Sequence, residues 1–109
     1  MAASSEFEET EPARETIDGL QGPTVVEFGS PTCGHCRFAL PLVASALDGH
    51  PKVRHIKIKD GSGRALGRSF KVKLWPTLVF MNAGKEVERL VRPREEASIR
   101  EALGRIDPT

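Results

Sequence analysis

The spacing of apolar residues changes several times along the chain, and each change marks the boundary of a predicted element. An apolar run typical of a short buried strand covers Thr24–Phe28, and alternating apolar positions predict a second strand over Val53–Lys59. Between them, Arg37–Leu47 has the apolar spacing of a buried helix. The first half of the chain therefore predicts a strand, a helix and a strand in succession.

The second half predicts a short helix, a hairpin and a last helix. The short helix covers Arg64–Phe70, and a turn at Asn82–Gly84 joins Thr77–Phe80 to Val87–Val91. The last helix, with an apolar face, covers Ala97–Ile106. The complete order predicts an α/β fold in which a central mixed sheet of about four strands is flanked by helices.

An acidic segment precedes these elements. Ser5 and Glu8 resemble a capping box, and the apolar residues within Phe7–Leu20 approximate one helical face. We expect residues 1–23 to form a helical segment packed on a domain of residues 24–109, with a single domain overall.

Composition narrows the class of protein. The chain has 109 residues, of which 39% are hydrophobic and 28% charged, a balance typical of one globular domain. Its opening residues lack the basic and apolar stretches of a secretory signal, and no segment approaches the roughly 20 apolar residues of a membrane span. We therefore expect a cytoplasmic protein, in which a close cysteine pair indicates redox or metal chemistry.

The charges are unevenly distributed, although the net charge is only +1. The first 24 residues carry six carboxylates against Arg14, whereas residues 52–73 carry eight lysines and arginines against Asp60. The basic stretch is either a solvated face or a surface that attracts acidic partners.

The two cysteines stand in the motif Cys33-Gly34-His35-Cys36, between a predicted strand and a predicted helix. In this context the motif indicates thiol–disulfide exchange, because both sulfurs lie on one helical turn and can form a disulfide locally. The unpaired N–H groups at the helix start favour the thiolate of Cys33, the predicted nucleophile. Cys36, one turn further in, is the predicted resolving thiol.

Two ionisable residues are candidates for tuning this chemistry. A protonated His35 would stabilise the reduced form and make the disulfide more oxidising, unless it is only an exposed spacer. Glu27 interrupts an apolar strand, and a buried carboxylate there could take the proton that Cys36 must lose. A glutamate that faced outward would have no such role.

Trp75 and Pro76 precede the third predicted strand. A proline at this place indicates an edge, a bulge, a cis peptide bond or a plain boundary between loop and strand. Trp75, the only tryptophan, belongs either to the core or to a contact surface beside the disulfide.

Four motifs together resemble the thioredoxin family in order and spacing over Thr24–Leu103: Val25–Phe28, Cys33–Cys36, Pro41 and Trp75–Leu78. The resemblance implies the thioredoxin fold, a cis Pro76 that faces the disulfide, a helix kinked at Pro41 and a hairpin closed by Gly84.

The resemblance also implies roles for residues outside the cysteine motif. Glu27 matches the buried acid of the family and Lys57 its neighbouring lysine, provided that the strand register turns Lys57 inward. The residues that match the substrate-binding face are Gly34, Trp75, Pro76 and Arg92.

Several positions depart from the family pattern. Cys-Gly-His-Cys is the disulfide-isomerase version of the motif, and Gly29 and Thr32 stand where thioredoxins have tryptophan. Trp75 replaces a smaller aliphatic residue, and Arg92 replaces a glycine beside the docking groove. The usual first strand is not evident either, so the substrate range of ordinary thioredoxin does not carry over.

These features favour a protein-disulfide reductase that cycles between the Cys33/Cys36 dithiol and disulfide through a mixed disulfide. We expect protein disulfides as substrates, a reductase or a small thiol as electron donor, no cofactor, no nucleic acid or membrane partner, and a monomer. His35 favours the alternative, a more oxidising oxidase or isomerase. Thioredoxin at about −270 mV and disulfide isomerase at about −180 mV differ by roughly 4 kcal/mol for two electrons.

A metal-binding or non-catalytic interaction module is the alternative from a different class. Cys33, Cys36 and His35 are at most three soft ligands, and His35 is poorly placed to join the cysteines that flank it. A closed zinc site would need a second chain, so we expect no metal.

Overall fold

Four strands and four helices make up most of residues 6–107, the part of the chain that this computed structural model describes. The strands are β1 (Pro23–Gly29), β2 (Arg54–Lys59), β3 (Thr77–Asn82) and β4 (Lys85–Val91). The helices are α1 (Arg14–Asp18), α2 (Gly34–Asp48), α3 (Ala65–Ser69) and α4 (Glu96–Ile106). Every element predicted after residue 23 is present, with ends that differ from the predicted ones by a few residues.

The strands form one mixed sheet in the order β2-β1-β3-β4. Strand β1 pairs in parallel with β2 and antiparallel with β3, and β3 pairs antiparallel with β4 at the far edge. The prediction of a mixed four-stranded sheet flanked by helices is confirmed.

Helices cover both faces of the sheet, and successive side chains of β1 point to one face and to the other in turn. Val25 belongs to a core cluster with residues of α2 and α4, whereas Val26 and Phe28 belong to a cluster with residues of α1 and α3. Side chains two apart on a strand share a face, so Glu27 lies on the same side as Val25. The buried carboxyl of Glu27 therefore faces the layer that contains α2.

The prediction of a helix over Phe7–Leu20 was wrong in its extent, because helix α1 contains only Arg14–Asp18. Before it, Glu8 pairs with the open edge of β2: its N–H donates to the Lys57 carbonyl at 2.8 Å, and its carbonyl accepts from the Lys59 N–H at 3.2 Å. An edge strand offers unpaired backbone groups, and this pairing satisfies two of them. Ser5 of the predicted capping box lies outside the described residues.

Residues 6–13, which we name the N-terminal arm, are attached to the basic stretch of the same chain. The Glu11 carboxylate accepts from the N–H groups of Ala65 and Leu66, at 3.0 and 3.3 Å, and so caps the start of α3. Arg64 donates to the Glu9 carbonyl at 2.5 Å. The opposite charges of the arm and the basic stretch thus meet within the chain.

No helix of the described residues is long and apolar enough to cross a membrane.

Candidate active site

The two cysteines lie at the start of α2, where the structure places both as free thiols. Cys33 is the N-cap residue of this helix, and its Sγ accepts a hydrogen bond from the Cys36 backbone N–H at 3.2 Å. Cys33 is partly exposed, whereas Cys36 is only 4% exposed. The predicted placement of an outer and an inner thiol on one helical turn is therefore what the structure contains.

The surroundings of Cys36 keep its thiol protonated at neutral pH. Burial is the largest cause that raises the pKa of Cys36, and the Cys33 side chain and the charge of Glu27 raise it further. A hydrogen bond with the Ser30 backbone lowers it, and the resulting pKa is about 12. A thiol is a nucleophile only as the thiolate, so Cys36 must lose this proton before it can react.

The loop before β3 faces Cys33. The Trp75–Pro76 peptide bond is cis, which confirms this implication of the family resemblance. The Cys33 thiol donates to the Trp75 carbonyl at 3.9 Å, and Pro76 is buried beside it. The Trp75 indole N–H donates to the Asp60 carboxylate at 2.9 Å. Trp75 is thus a half-buried residue fixed next to the dithiol.

Arg92 binds the same loop from the other side. Its backbone N–H donates to the Pro76 carbonyl and its Nε to the Trp75 carbonyl, both at 2.9 Å. Arg92 has a φ of 51°, in the left-handed region that favours glycine. A glycine would relieve that strain but could not donate to Trp75, so the arginine adds a contact as well as a charge.

A groove of about 790 Å³ opens beside the motif. The exposed His35 and Gly34 lie on one side of it, and Arg92 lies on the other. Its remaining lining residues are Phe38, Pro93 and Arg94. Gly34 and Arg92, two of the residues predicted for the substrate face, therefore line the same groove. Trp75 and Pro76 are connected to it because their carbonyls accept hydrogen bonds from Arg92.

His55, rather than the expected Lys57, is the hydrogen-bond partner of Glu27. Glu27 Oε1 lies 2.8 Å from His55 Nε2, and both side chains are 1% exposed. The register pairs Glu27 with Lys57 and Val25 with His55, so the His55 ring reaches Glu27 along a diagonal. Lys57 is buried as expected, but its Nζ lies 4.3 Å from the centre of the Phe7 ring.

The second oxygen of Glu27, Oε2, is buried and has no hydrogen-bond partner among the described residues. A carboxylate oxygen without a donor keeps its full capacity to accept a hydrogen bond.

Two residues of the site were missed by the sequence analysis. His55 alternates with Ile56 and lies on the same face as Lys57, so the alternation did contain a signal for it. Asp60 was noted only as the one acid in the basic stretch, and its bond to Trp75 comes from a distant loop. Among residues 6–107, no three metal-ligating side chains converge.

A dithiol at the start of a helix, beside a cis-proline loop and above a buried acid on a mixed sheet, defines the class of thioredoxin-like redox proteins. The family model for thioredoxin matches residues 5–105, and the chain belongs to the thioredoxin family.

Known relatives agree with this assignment. The chain is 35% identical over 72 residues to thioredoxin H-type 1 of Nicotiana tabacum, which aligns 66% of this chain with 57% of that protein. It is 41% identical over 68 residues to the protein disulfide-isomerase erp38 of Neurospora crassa, which aligns 59% of this chain with 18% of that protein. The chain thus spans less than two thirds of the length of these curated relatives.

Among solved structures, thioredoxin 2 from Pseudomonas aeruginosa PAO1 in its reduced form has a TM-score of 0.84 at 49% identity. The match covers 94% of both chains, and it confirms the thioredoxin fold.

Proposed function

We propose that the protein is a thiol–disulfide oxidoreductase that reduces protein disulfides with the dithiol of Cys33 and Cys36. The observation that carries this proposal is the hydrogen bond of 3.2 Å from the Cys36 N–H to Cys33 Sγ. This bond and the start of helix α2 stabilise negative charge on the sulfur that is the more exposed of the two.

The reaction has two exchange steps. The Cys33 thiolate attacks one sulfur of the substrate disulfide, so that a mixed disulfide forms and the other substrate sulfur leaves as a thiolate that takes up a proton. The Cys36 thiolate then attacks Cys33 Sγ, which releases the second substrate thiolate. Two electrons pass to the substrate, and a reductase or a small thiol returns them to the Cys33–Cys36 disulfide.

Glu27 is the proposed base for the second step. The pKa of Cys36, raised to about 12 chiefly by burial, means that the thiol needs help to ionise at neutral pH. His55 binds Oε1 of Glu27 at 2.8 Å, which leaves the unpartnered Oε2 to accept the proton. The charge of Glu27 also contributes to the raised pKa of Cys36.

The groove beside the motif is the proposed binding site for the substrate segment that carries the disulfide. Trp75 and Pro76 adjoin the groove through Arg92, a lining residue that donates hydrogen bonds to both of their carbonyls. Arg92 and Arg94 both line the groove, so we propose substrates with acidic residues next to the disulfide.

A disulfide oxidase or isomerase is the second candidate. It is favoured by the exposed His35 within the motif, and by the similarity to the Neurospora crassa isomerase over part of the chain. A protonated imidazole next to Cys33 would stabilise the reduced form, which makes the disulfide a stronger oxidant. We retain reduction in the cytoplasm as the primary proposal.

Trapping of the intermediate tests the proposed order of attack. The Cys36→Ser variant, incubated with a disulfide-containing protein such as insulin, should accumulate a mixed disulfide through Cys33, visible by mass. The Cys33→Ser variant should accumulate far less under the same conditions. Equal trapping by both variants, or none by either, would contradict the proposed roles.

A further inference from the structure

Gly29 lies at the end of β1 in a place where no side chain fits. A Cβ built on Gly29 would lie 2.7 Å from Cys36 Sγ and 2.9 Å from Cζ of Phe7, closer than carbon atoms approach either atom. The space beside the inner thiol is therefore occupied, and one of its two occupants belongs to the N-terminal arm. Phe7 stands where a side chain at position 29 would otherwise lie.

The Phe7 ring also contacts the buried cation of this region. Lys57 is 3% exposed, and its Nζ lies 4.3 Å from the centre of the ring, within the range of a cation–π interaction. A buried ammonium needs such compensation, because its desolvation is costly. Phe7 thus lies between the inner thiol on one side and a lysine of β2 on the other.

The position of Phe7 is fixed by backbone pairing. The next residue, Glu8, makes the two hydrogen bonds to β2, at 2.8 Å to the Lys57 carbonyl and 3.2 Å from the Lys59 N–H. Further along the arm, Glu11 caps α3 through Ala65. The ring is therefore presented by an anchored segment.

A cavity of about 190 Å³ remains at this place, and Phe7 and Cys36 both line it. The charged residues that line it are Glu6, Arg37 and Lys57. It is the route by which water or an external thiol would approach Cys36 if the ring were removed.

We propose that Phe7 is a positioning residue that covers Cys36, so that exchange with external disulfides begins at Cys33 and Cys36 reacts only from within the protein. The inference rests on the proposed function.

The test isolates Cys36 in a Cys33→Ser background, where it is the only cysteine of the chain. The second-order rate of its alkylation by iodoacetamide is measured between pH 6 and pH 11, with and without Phe7→Ala. Burial is the largest cause of the raised pKa of Cys36, so we expect Phe7→Ala to shift the rise of the alkylation rate toward lower pH. The rate at pH 7 should rise about tenfold, the gain in thiolate from a fall of one pKa unit.

Two further variants make the result specific. Val87→Ala, which truncates an apolar side chain 47% exposed on β4 at the opposite edge of the sheet, should leave the rate unchanged. Phe7→Leu keeps an apolar cover and should increase the rate less than Phe7→Ala. If Phe7→Ala does not fold, as judged by circular dichroism, the comparison of Phe7→Leu with Val87→Ala decides.

An alkylation profile that is the same with and without the Phe7 substitution would overturn the proposal. The proposed function is tested separately, through mixed-disulfide formation by Cys33 in a Cys36→Ser background. Loss of that reaction in the protein with Phe7 intact contradicts the proposed function, whereas the alkylation rate of Cys36 concerns the cover alone.

Discussion

Glu27 and His55 form a hydrogen-bonded pair inside the protein, with Oε1 and Nε2 separated by 2.8 Å and both side chains 1% exposed. The pair joins β1 to β2 beneath the start of α2, where the inner thiol must lose its proton. It gives the buried acid a partner that holds one oxygen of the carboxylate in place. Under the proposed function, this pair serves the second exchange step.

Replacement of Glu27 by glutamine should slow that second step. Without the carboxylate, Cys36 loses its proton to water, and we expect the resolution rate at pH 7 to fall by about a hundredfold, the lower end of the range for loss of a general base. Loss of the negative charge also lowers the pKa of Cys36, which partly offsets the effect. Stopped-flow measurement of mixed-disulfide decay checks this.

The pH dependence of the mixed-disulfide decay rate distinguishes a role of Glu27 as a base from a merely structural role. In the Glu27→Gln variant, the decay rate should recover as the pH rises toward 10, because hydroxide then ionises Cys36 directly. The alkylation rate of Cys33 serves as the control and should change little. A deficit that stays constant from pH 6 to pH 10 would argue for a merely structural effect of the substitution.

Removal of the His55 ring should destabilise the fold, because Glu27 loses its hydrogen-bond partner. His55→Leu leaves Oε1 of Glu27 buried without its donor, and we expect a loss of about 1–3 kcal/mol in the free energy of unfolding, measured in urea. In a double-mutant cycle, Glu27→Gln combined with His55→Leu should cost less than the sum of the two. Strict additivity would show that the pair is not energetically coupled.

The raised pKa of Cys36 predicts how the reduced protein responds to alkali. The folded state binds the thiol proton more tightly, with a pKa of about 12 against an ordinary value of 9.0, so unfolding releases this proton. The contribution to stability is complete below pH 9.0 and is lost as the pH rises toward 12.

Comparison with Cys36→Ala isolates this effect from the titration of lysines. The difference in the free energy of unfolding between the reduced wild-type protein and Cys36→Ala, measured in urea, should decrease from pH 9 to pH 11. A difference that increased over this range would mean that the folded state favours the thiolate, contrary to the burial of Cys36.

Arg92 should affect the choice of substrate more than the chemistry. Arg92→Gly removes the contact to the Trp75 carbonyl and one positive charge of the groove, while it relieves a φ of 51°. We expect KM for a peptide disulfide flanked by glutamates to rise about threefold to tenfold at low salt, with a smaller change at 0.5 M salt. A matched peptide flanked by lysines is the control, and equal effects on both would remove the charge argument.

Much of the fold could be predicted from the sequence, because the periodicity of its core elements is strong. The apolar run of β1 and the helical spacing of α2 place Cys33 at a helix start, and that is where the structure has it as N-cap. Local patterns of this kind suffice when an element is buried on a known face.

The path of the N-terminal arm and the identity of the residue that binds Glu27 could not be predicted, because both depend on contacts between distant parts of the chain. The residues around Phe7 have partly helical spacing, yet the open edge of β2 pairs with Glu8 and overrides that preference. Ile56 and Ile58 are the apolar signal for β2, but helices cover both faces of the sheet, so His55 is buried too. Neither the pairing of Glu8 with the edge of β2 nor the diagonal contact of His55 with Glu27 can be inferred from local periodicity.

The reduction potential of the Cys33/Cys36 pair tests the central claim most directly. The protein is equilibrated in graded thiol–disulfide buffers, and the reduced fraction is determined by alkylation and mass. We predict a potential near that of thioredoxin, about −270 mV, which would allow the dithiol to reduce protein disulfides in a reducing compartment. A potential near that of disulfide isomerase, about −180 mV, would contradict the proposed direction of electron flow and identify His35 as the dominant influence.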